Sequence, residues 1–324
     1  MFAVAAWMFT GARPASAETC DRLASLALPD ATITMAQVVS EGAFVAPAPA
    51  RGGRGPSQNP FGNLPSFCRV AATLKPTSDS DIKVEVWLPV AGWNGKFQAV
   101  GNGGWAGTIS YPAMAEALRR GYATSSTDTG HTGTSGAFAL GHPEKFIDFA
   151  YRSEHEMTVK AKAIVKAFYG NAPKYSYWNG CSTGGRQGLA EAQRFPDDFD
   201  GIIAGAQANP RTHLNAWQLS IGKAALADPA ATIPPSKYPA IHKAVLDACD
   251  ASDGVKDGLL NDPARCHFDP TVLLCKGASS GSGQDGANSG DNCLTPRQIE
   301  TVRFIMSPAK TSKGEEIFPG FAPG

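Results

Sequence analysis

The sequence predicts an α/β fold, with a mostly parallel β-sheet covered by helices on both faces and a second region of different character behind it. Three observations predict it. Between Ile82 and Ala206, short β-type segments alternate with segments of helical period. Glycines punctuate that alternation, with Gly121 and Gly170 standing where two helical patterns stop. After about Asn209 the regular periodicity fades, and prolines, turn dipeptides and four cysteines accumulate.

Met1 to Trp7 is apolar and Ala15-Ser16-Ala17 is a small-x-small cleavage pattern, so residues 1–17 read as the remnant of a secretory signal peptide, although a basic leading segment is missing. Residues 18–75 hold two cysteines around the Pro/Gly/Ala-rich tract Ala46 to Pro65, which reads as a loop stapled at its base. Ile82 to Leu88 alternates with period two and is a strand. Trp93-Asn94-Gly95 is a hairpin turn signal, and Phe97 to Val100 is a second strand running into Gly101-Asn102-Gly103-Gly104. Pro112–Arg120 and Glu154–Phe168 read as helices on either side of a Tyr122–Thr127 strand. Tyr175–Asn179, Gly185–Phe195 and Gly201–Ala206 continue as strand, helix and buried strand. Residues 18–208 are thus expected to form one domain, and 209–324 part of an inserted lid. Within that lid Gly277 to Asn292 is a low-complexity loop, and the run from Phe318 to Gly324 looks like the middle of another.

Composition narrows the function. Apolar residues make up 43% and charged residues 18% of 324, and 29 basic residues balance 29 acidic ones. No basic stripe suits nucleic acid or an anionic membrane, and no apolar run reaches the ~18–20 residues that span a bilayer. Seven cysteines suit a secreted or periplasmic protein, and an odd count asks where one partner lies.

The chemistry concentrates in Gly180-Cys181-Ser182-Thr183-Gly184, which fits G-x-S-x-G between a strand and a helix. Such a turn holds the serine in a strained conformation, needs small neighbours, and lifts Oγ clear of the sheet beside a helix N-terminus. Ser182 is the expected nucleophile. The backbone NH of Thr183 is the expected first donor to an oxyanion, and Gly104 supplies the second from the loop after the Phe97–Val100 strand. Neither phosphate-binding glycine pattern is complete in that loop.

These residues carry a resemblance. Gly180 to Gly188, Arg194-Phe195-Pro196 and Phe199 to Ala206 resemble the tannase and feruloyl esterase family, which includes mono(2-hydroxyethyl) terephthalate hydrolase; Trp93 to Phe97, Gly101 to Gly104 and Thr127 to His131 match it too. The resemblance runs from about Cys20 to the end. It implies an α/β-hydrolase core with an inserted lid stabilised by disulfides and calcium, and hydrolysis of esters of aromatic acids such as gallate, ferulate or terephthalate. It also implies a Cys-Ser, Asp, His-Cys arrangement in which the cysteine before the nucleophile is bonded to one beside the catalytic histidine. Only Cys181-Ser182 is present, because no His-Cys dipeptide occurs in the sequence. The chain therefore reads as truncated inside the lid, without its last strands or the triad Asp and His, and as inactive by itself. Spacing leaves the cysteine pairing open, but the resemblance implies Cys20–Cys68, Cys249–Cys266 and Cys275–Cys293, with the partner of Cys181 absent.

Asp250, Asp253 and Asp257 lie in a short glycine-rich segment of hard oxygen donors. The spacing is not that of an EF-hand, and Asp-Gly pairs alone are more often turns. The resemblance implies a structural lid Ca²⁺ held by those three side chains and the carbonyls of Val255 and Leu259. Among histidines, His213, His242 and His267 follow Ser182 in the order this chemistry uses, and a Cys181–Cys266 bond would bring His267 close; a surface or lid role is the plainer reading. His131, His142 and His155 read as structural, with His131 a candidate for the pocket wall. Asp128-Thr129-Gly130 resembles an aspartic protease triplet but lacks a second carboxylate. The contrasting function is a non-catalytic, secreted, calcium-stabilised binding module.

Overall fold

A computed structural model describes residues 17–47, 59–105, 107–276 and 290–323. Residues 1–16 of the leader-like segment, 48–58 of the Pro/Gly/Ala tract and 277–289 of the low-complexity loop lie outside the described residues. The chain divides into two compact units, Met1–Ala208 and Asn209–Gly324. No described helix is long and apolar enough to cross a membrane.

The first unit opens with helix α1 (Ala17–Arg22) and strands β1 (Ala31–Val39), β2 (Phe67–Leu74), β3 (Ile82–Pro89) and β4 (Lys96–Val100). Helix α2 (Tyr111–Arg119), strand β5 (Ala123–Thr127), helices α3 (Pro143–Ile147) and α4 (Ser153–Tyr169), strand β6 (Tyr175–Cys181), helix α5 (Thr183–Arg194) and strand β7 (Gly201–Gly205) follow. The seven strands form one sheet in the order β1-β2-β3-β5-β4-β6-β7. The four strands β5, β4, β6 and β7 run parallel, and β3, β2 and β1 extend the sheet antiparallel from β5. Gly121 and Gly170 take φ of +78° behind α2 and α4, as helix-ending glycines do.

The sheet is covered on two sides. Met157, Ala161, Ile164 and Val165 of α4 pack with Cys68, Val70 and Leu74 of β2, while Met114, Ala115 and Leu118 of α2 pack with Phe67 and Trp87. Neighbours such as Phe67 and Cys68 thus serve different cores, because successive strand residues point to opposite faces.

One expected pairing is wrong. The turn at Trp93-Asn94-Gly95 does not close a hairpin, because β5 lies between β3 and β4. Asn94 N instead donates to Gly121 O at 2.9 Å, and Trp93 stacks on Tyr169 with ring centroids 3.8 Å apart. The turn is real, but long-range pairing with β5 decides which strands meet. Residues 18–75 also hold more than a stapled loop: β1 and β2 are full strands.

The disulfide Cys20–Cys68 ties α1 to the second strand, and both sulfurs are buried. It closes a sequence separation of 48 residues. In the loop-entropy account such a crosslink stabilises by about 4 kcal/mol. The double variant Cys20→Ser/Cys68→Ser is expected to lose about that much, read as a lower urea midpoint with a somewhat larger m-value as the unfolded chain expands.

The second unit is helical rather than irregular. It contains α6 (Arg211–Ala227), α7 (Tyr238–Cys249), α8 (Pro296–Met306) and a short antiparallel pair, β8 (Ala309–Lys310) with β9 (Glu316–Phe318). Helix α8 starts with a complete capping box, in which Gln298 N donates to Thr295 Oγ1 and Thr295 N to Gln298 Oε1. Cys249–Cys266 and Cys275–Cys293 staple this unit, so all three disulfides follow the pairing the family resemblance implies. The buried Lys237 ammonium donates to Cys293 O and Gln298 Oε1, which ties the second staple to α8.

Candidate active site

The chain leaves β4 toward β5 on one side and leaves β6 toward β7 on the other. The carboxyl ends of β4 and β6 therefore face a switch in winding direction, where the helices diverge and open a crevice. The Gly101–Gly104 loop follows β4, and Ser182 follows β6.

Ser182 has φ 59° and ψ −120°, a conformation that a side chain rarely tolerates, and α5 begins at the next residue. Crowding around it explains the glycines. A Cβ on Gly180 would lie 2.4 Å from Gly184 O, and one on Gly185 would lie 2.2 Å from Gly205 O. A Cβ on Gly101 would meet Gly184 Cα at 2.5 Å. The strand, the turn and the neighbouring loop therefore touch backbone to backbone. Ser182 N donates to Gly205 O at 3.0 Å, which anchors the strained residue to β7. Ser182 itself is exposed, whereas Thr183 is buried at the first turn of α5, where backbone NH groups lack intrahelical partners.

The loop after β4 is pinned to this turn. Gly101 N donates to Asn179 O at 3.1 Å, and Gly184 N donates to Asn102 O at 2.8 Å. Thr183 Oγ1 donates to Gly104 O at 2.8 Å, so the two residues read as oxyanion donors are joined directly. Gly104 has φ +57°, which accounts for glycine there, since its Cβ direction is open. Trp105, next in the chain, stacks on Phe149 at 4.8 Å, and its carbonyl accepts from His131 Nε2 at 2.8 Å.

A polar network beneath the loop escaped the sequence reading. Asn102 N donates to Gln187 Oε1 at 3.0 Å, and Gln187 Nε2 donates back to Asn102 Oδ1 at 3.1 Å and also to Glu154 Oε1. Asn102 Nδ2 further donates to the carbonyls of Thr108 and Thr127. All three side chains are buried, and burial pushes the Glu154 carboxyl up to about 7. A glutamine on the covered face of α5 is the one local signal that could have pointed here.

The remaining candidates are placed as follows. Cys181 is a free, exposed thiol. Cys266 is bonded to Cys249, so the bond that would carry His267 toward Ser182 does not form. His142 pairs with Asp79 at 3.0 Å and His155 with Asp198 at 2.7 Å. His131 lines a hollow with Lys83, Asp128 and Phe138, and stacks on Phe138 at 3.8 Å. Asp128 closes a turn, accepting from Lys83 N and Gly130 N at 2.9 Å, and burial pushes its carboxyl up to about 7. In the second unit, Asp250 accepts from Gly258 N at 3.0 Å, Asp253 from Val255 N at 3.0 Å and Asp257 from Leu259 N at 3.1 Å. Gly254 and Gly258 take φ of +95° and +83°, folding this loop back on itself.

A serine strained into a strand-to-helix elbow at a topological switch point, with a glycine loop of the adjacent strand bonded to it, defines an α/β-hydrolase-type fold. The chain belongs to the tannase and feruloyl esterase family, whose profile matches residues 68–324. It is 44% identical over 307 residues to an uncharacterised esterase of Xanthomonas campestris pv. campestris, covering 94% of this chain and 50% of that protein. It is 38% identical over 259 residues to the Neosartorya fischeri protein named "Probable feruloyl esterase B-2", covering 80% and 48%. The crystal structure of feruloyl esterase B from Aspergillus oryzae superposes with a TM-score of 0.81 at 32% identity, over 95% of this chain and 59% of that one. Tannin acyl hydrolase from Aspergillus niger shares the fold at 23% identity, with a TM-score of 0.68 over 96% of this chain and 58% of that one. The chain thus spans about half the length of the curated relatives it matches.

Proposed function

We propose that Ser182 is the nucleophile of a secreted esterase that cleaves esters of aromatic acids. The observation that carries this reading is the elbow: an exposed serine at φ 59°, fixed by its own NH to β7, at the N-terminus of α5. Oγ attacks the ester carbonyl as a histidine takes its proton. The NH groups of Thr183 and Gly104 stabilise the tetrahedral oxyanion, its collapse breaks the ester C–O bond and expels the alcohol with the histidine's proton, and water then hydrolyses the acyl-enzyme to free the acid and Ser182. The Thr183–Gly104 hydrogen bond supports a paired role, because it keeps the two donors in fixed relation before substrate arrives. Family membership supports the aromatic acyl group, and the three disulfides support export to an oxidising compartment.

The base is proposed to come from residues other than 1–324. No His-Cys pair is available in residues 1–324 to meet Cys181, the Cys249–Cys266 bond leaves His267 without a tether to Cys181, and the relatives are about twice as long. Initial rates on methyl ferulate, methyl gallate and an aliphatic methyl ester test the proposal. The protein encoded by the complete reading frame is expected to prefer the aromatic acyl groups. Residues 1–324 alone are expected to keep only the ~10³–10⁴-fold acceleration over water left by an oxyanion hole and binding. Serine-dependent turnover by residues 1–324 at the rate of the complete protein would overturn the assignment of the base.

We further propose that the loop 250–259 holds a structural Ca²⁺ through Asp250, Asp253 and Asp257 and the carbonyls of Val255 and Leu259. The donor set fits, being oxygen throughout, and hydrogen bonding from Val255 N holds the Asp253 carboxyl below its usual range, so it stays charged. When bound, the ion would offset two of the three carboxylate charges along the loop and fasten it beside the Cys249–Cys266 staple. At calcium a hundredfold above Kd the gain is about 2.7 kcal/mol. Chelation is expected to lower the melting temperature, calcium to restore it, and Asp253→Asn to remove the response. A melting curve indifferent to both chelator and calcium would count against the site.

A further inference from the structure

Behind the elbow, at the far end of α5, three ligating side chains converge without a part in the chemistry above. His155 of α4, Glu191 of α5 and Asp198 of the α5–β7 connection place one ligand atom each within 4.8 Å of one another. Two ligands of one transition metal lie roughly 3–4 Å apart when each bond is about 2.0–2.2 Å, so a small inward shift of these side chains would bring all three atoms onto one ion. His155 is already oriented, with Nδ1 2.7 Å from Asp198 Oδ2 and its ring stacked on Phe195 at 3.8 Å.

Glu191 carries the argument. It is fully buried, and neither Oε1 nor Oε2 receives a hydrogen bond from a donor group. Leaving a buried carboxylate in that state is costly, because its desolvation is uncompensated. Its neighbours worsen the imbalance: the Asp198 carboxyl faces it, and Glu154 adds a further negative field. Lys162 is the nearby cation, but its ammonium donates to the main-chain carbonyl of Asp198. Such a cluster is settled either by a proton shared between Glu191 and Asp198 or by a cation held among them.

We propose that His155, Glu191 and Asp198 form a binding site for a divalent transition-metal ion of the zinc class. One imidazole and two carboxylates suit Zn²⁺ better than the harder Ca²⁺ or Mg²⁺. The His155 side chain is 29% exposed and that of Asp198 12% exposed, so an ion has a route in and water can complete the coordination. The ion would join α4, α5 and the segment leading into β7, bracing from behind the helix whose first turn holds Thr183. This site is separate in sequence from the 250–259 loop and uses a different donor set.

The test is Zn²⁺ binding by the complete protein after dialysis against a chelator, followed by calorimetry and by the visible spectrum of the Co²⁺-substituted form. One ion per chain is expected, with a raised melting temperature and cobalt absorption bands of a nitrogen–oxygen site. Glu191→Gln is expected to weaken binding at least tenfold and remove the stabilisation. His155→Gln, at a more exposed position, should do the same if the glutamate variant fails to fold, and Asp253→Asn should leave Zn²⁺ binding unchanged. Equal Zn²⁺ affinity in the parent, Glu191→Gln and His155→Gln proteins would overturn the proposal, as would no binding at all, which would assign the cluster to a shared proton.

Discussion

Ser182→Ala is expected to lower kcat for a feruloyl ester by about 10⁶-fold in the complete protein, the scale on which serine hydrolases lose activity when the nucleophile is removed. Substrate binding should change little, because removing the attacking Oγ takes away an interaction made in the transition state rather than uniform binding. The strain makes a second outcome checkable. Alanine inherits the φ of 59° that Ser182 adopts, so Ser182→Ala should fold with about the same stability. Ser182→Gly removes the side chain from that conformation and should be more stable by about 1–2 kcal/mol while equally inactive. Stability rising as activity vanishes is the signature of strain held for function. Loss of stability in Ser182→Gly would mean that the elbow is not strained in solution.

Gly185→Ala is the second large effect. The new Cβ would sit 2.2 Å from Gly205 O, 3.1 Å from Gly205 C and 3.2 Å from Gln207 Cα, all of them backbone atoms. No rotamer relieves that contact, so α5 or β7 must move, at a cost of about 3 kcal/mol. The same carbonyl accepts from Ser182 N, so the shift displaces the nucleophile as well. A misplacement of about 1 Å costs on the order of 10²-fold in rate. Gly222 in α6 is the control, since a Cβ there meets nothing within 4 Å. Gly222→Ala should stabilise by up to about 1 kcal/mol and leave kcat unchanged. Denaturant curves and steady-state rates on the two variants separate the effects.

The parts of the fold that were legible in the sequence are those whose physics is local. The parallel strands and their helices announce themselves by period. The elbow announces itself because Gly180 and Gly185 are demanded by contacts within a few residues of Ser182 or with the next strand, whereas Gly184 answers to the distant Gly101–Asn102 loop. What could not be read depends on partners far along the chain. β1 lacks clean alternation, since its pairing with β2 shifts register between Ile33 and Met35 and its residues are only partly buried. The hairpin failed because the signal at Asn94-Gly95 says that the chain turns, not that β5 enters between the two strands. In the second unit, α6 carries a mid-helix glycine and buries little besides Trp217, so its helical pattern is faint. Asn102 and Gln187 are 85 residues apart, and only the fold brings them together beneath the Gly104 loop. The cluster of His155, Glu191 and Asp198 is hidden in the same way, with one residue from each of three elements.

The most direct measurement is covalent labelling of the complete protein with a fluorophosphonate, followed by mass spectrometry of its peptides during parallel loss of feruloyl esterase activity. The account predicts a single adduct, on the peptide containing Ser182, appearing at the rate at which activity disappears and absent from Ser182→Ala. Inactivation with the adduct on another serine, or full hydrolysis by Ser182→Ala, would contradict it.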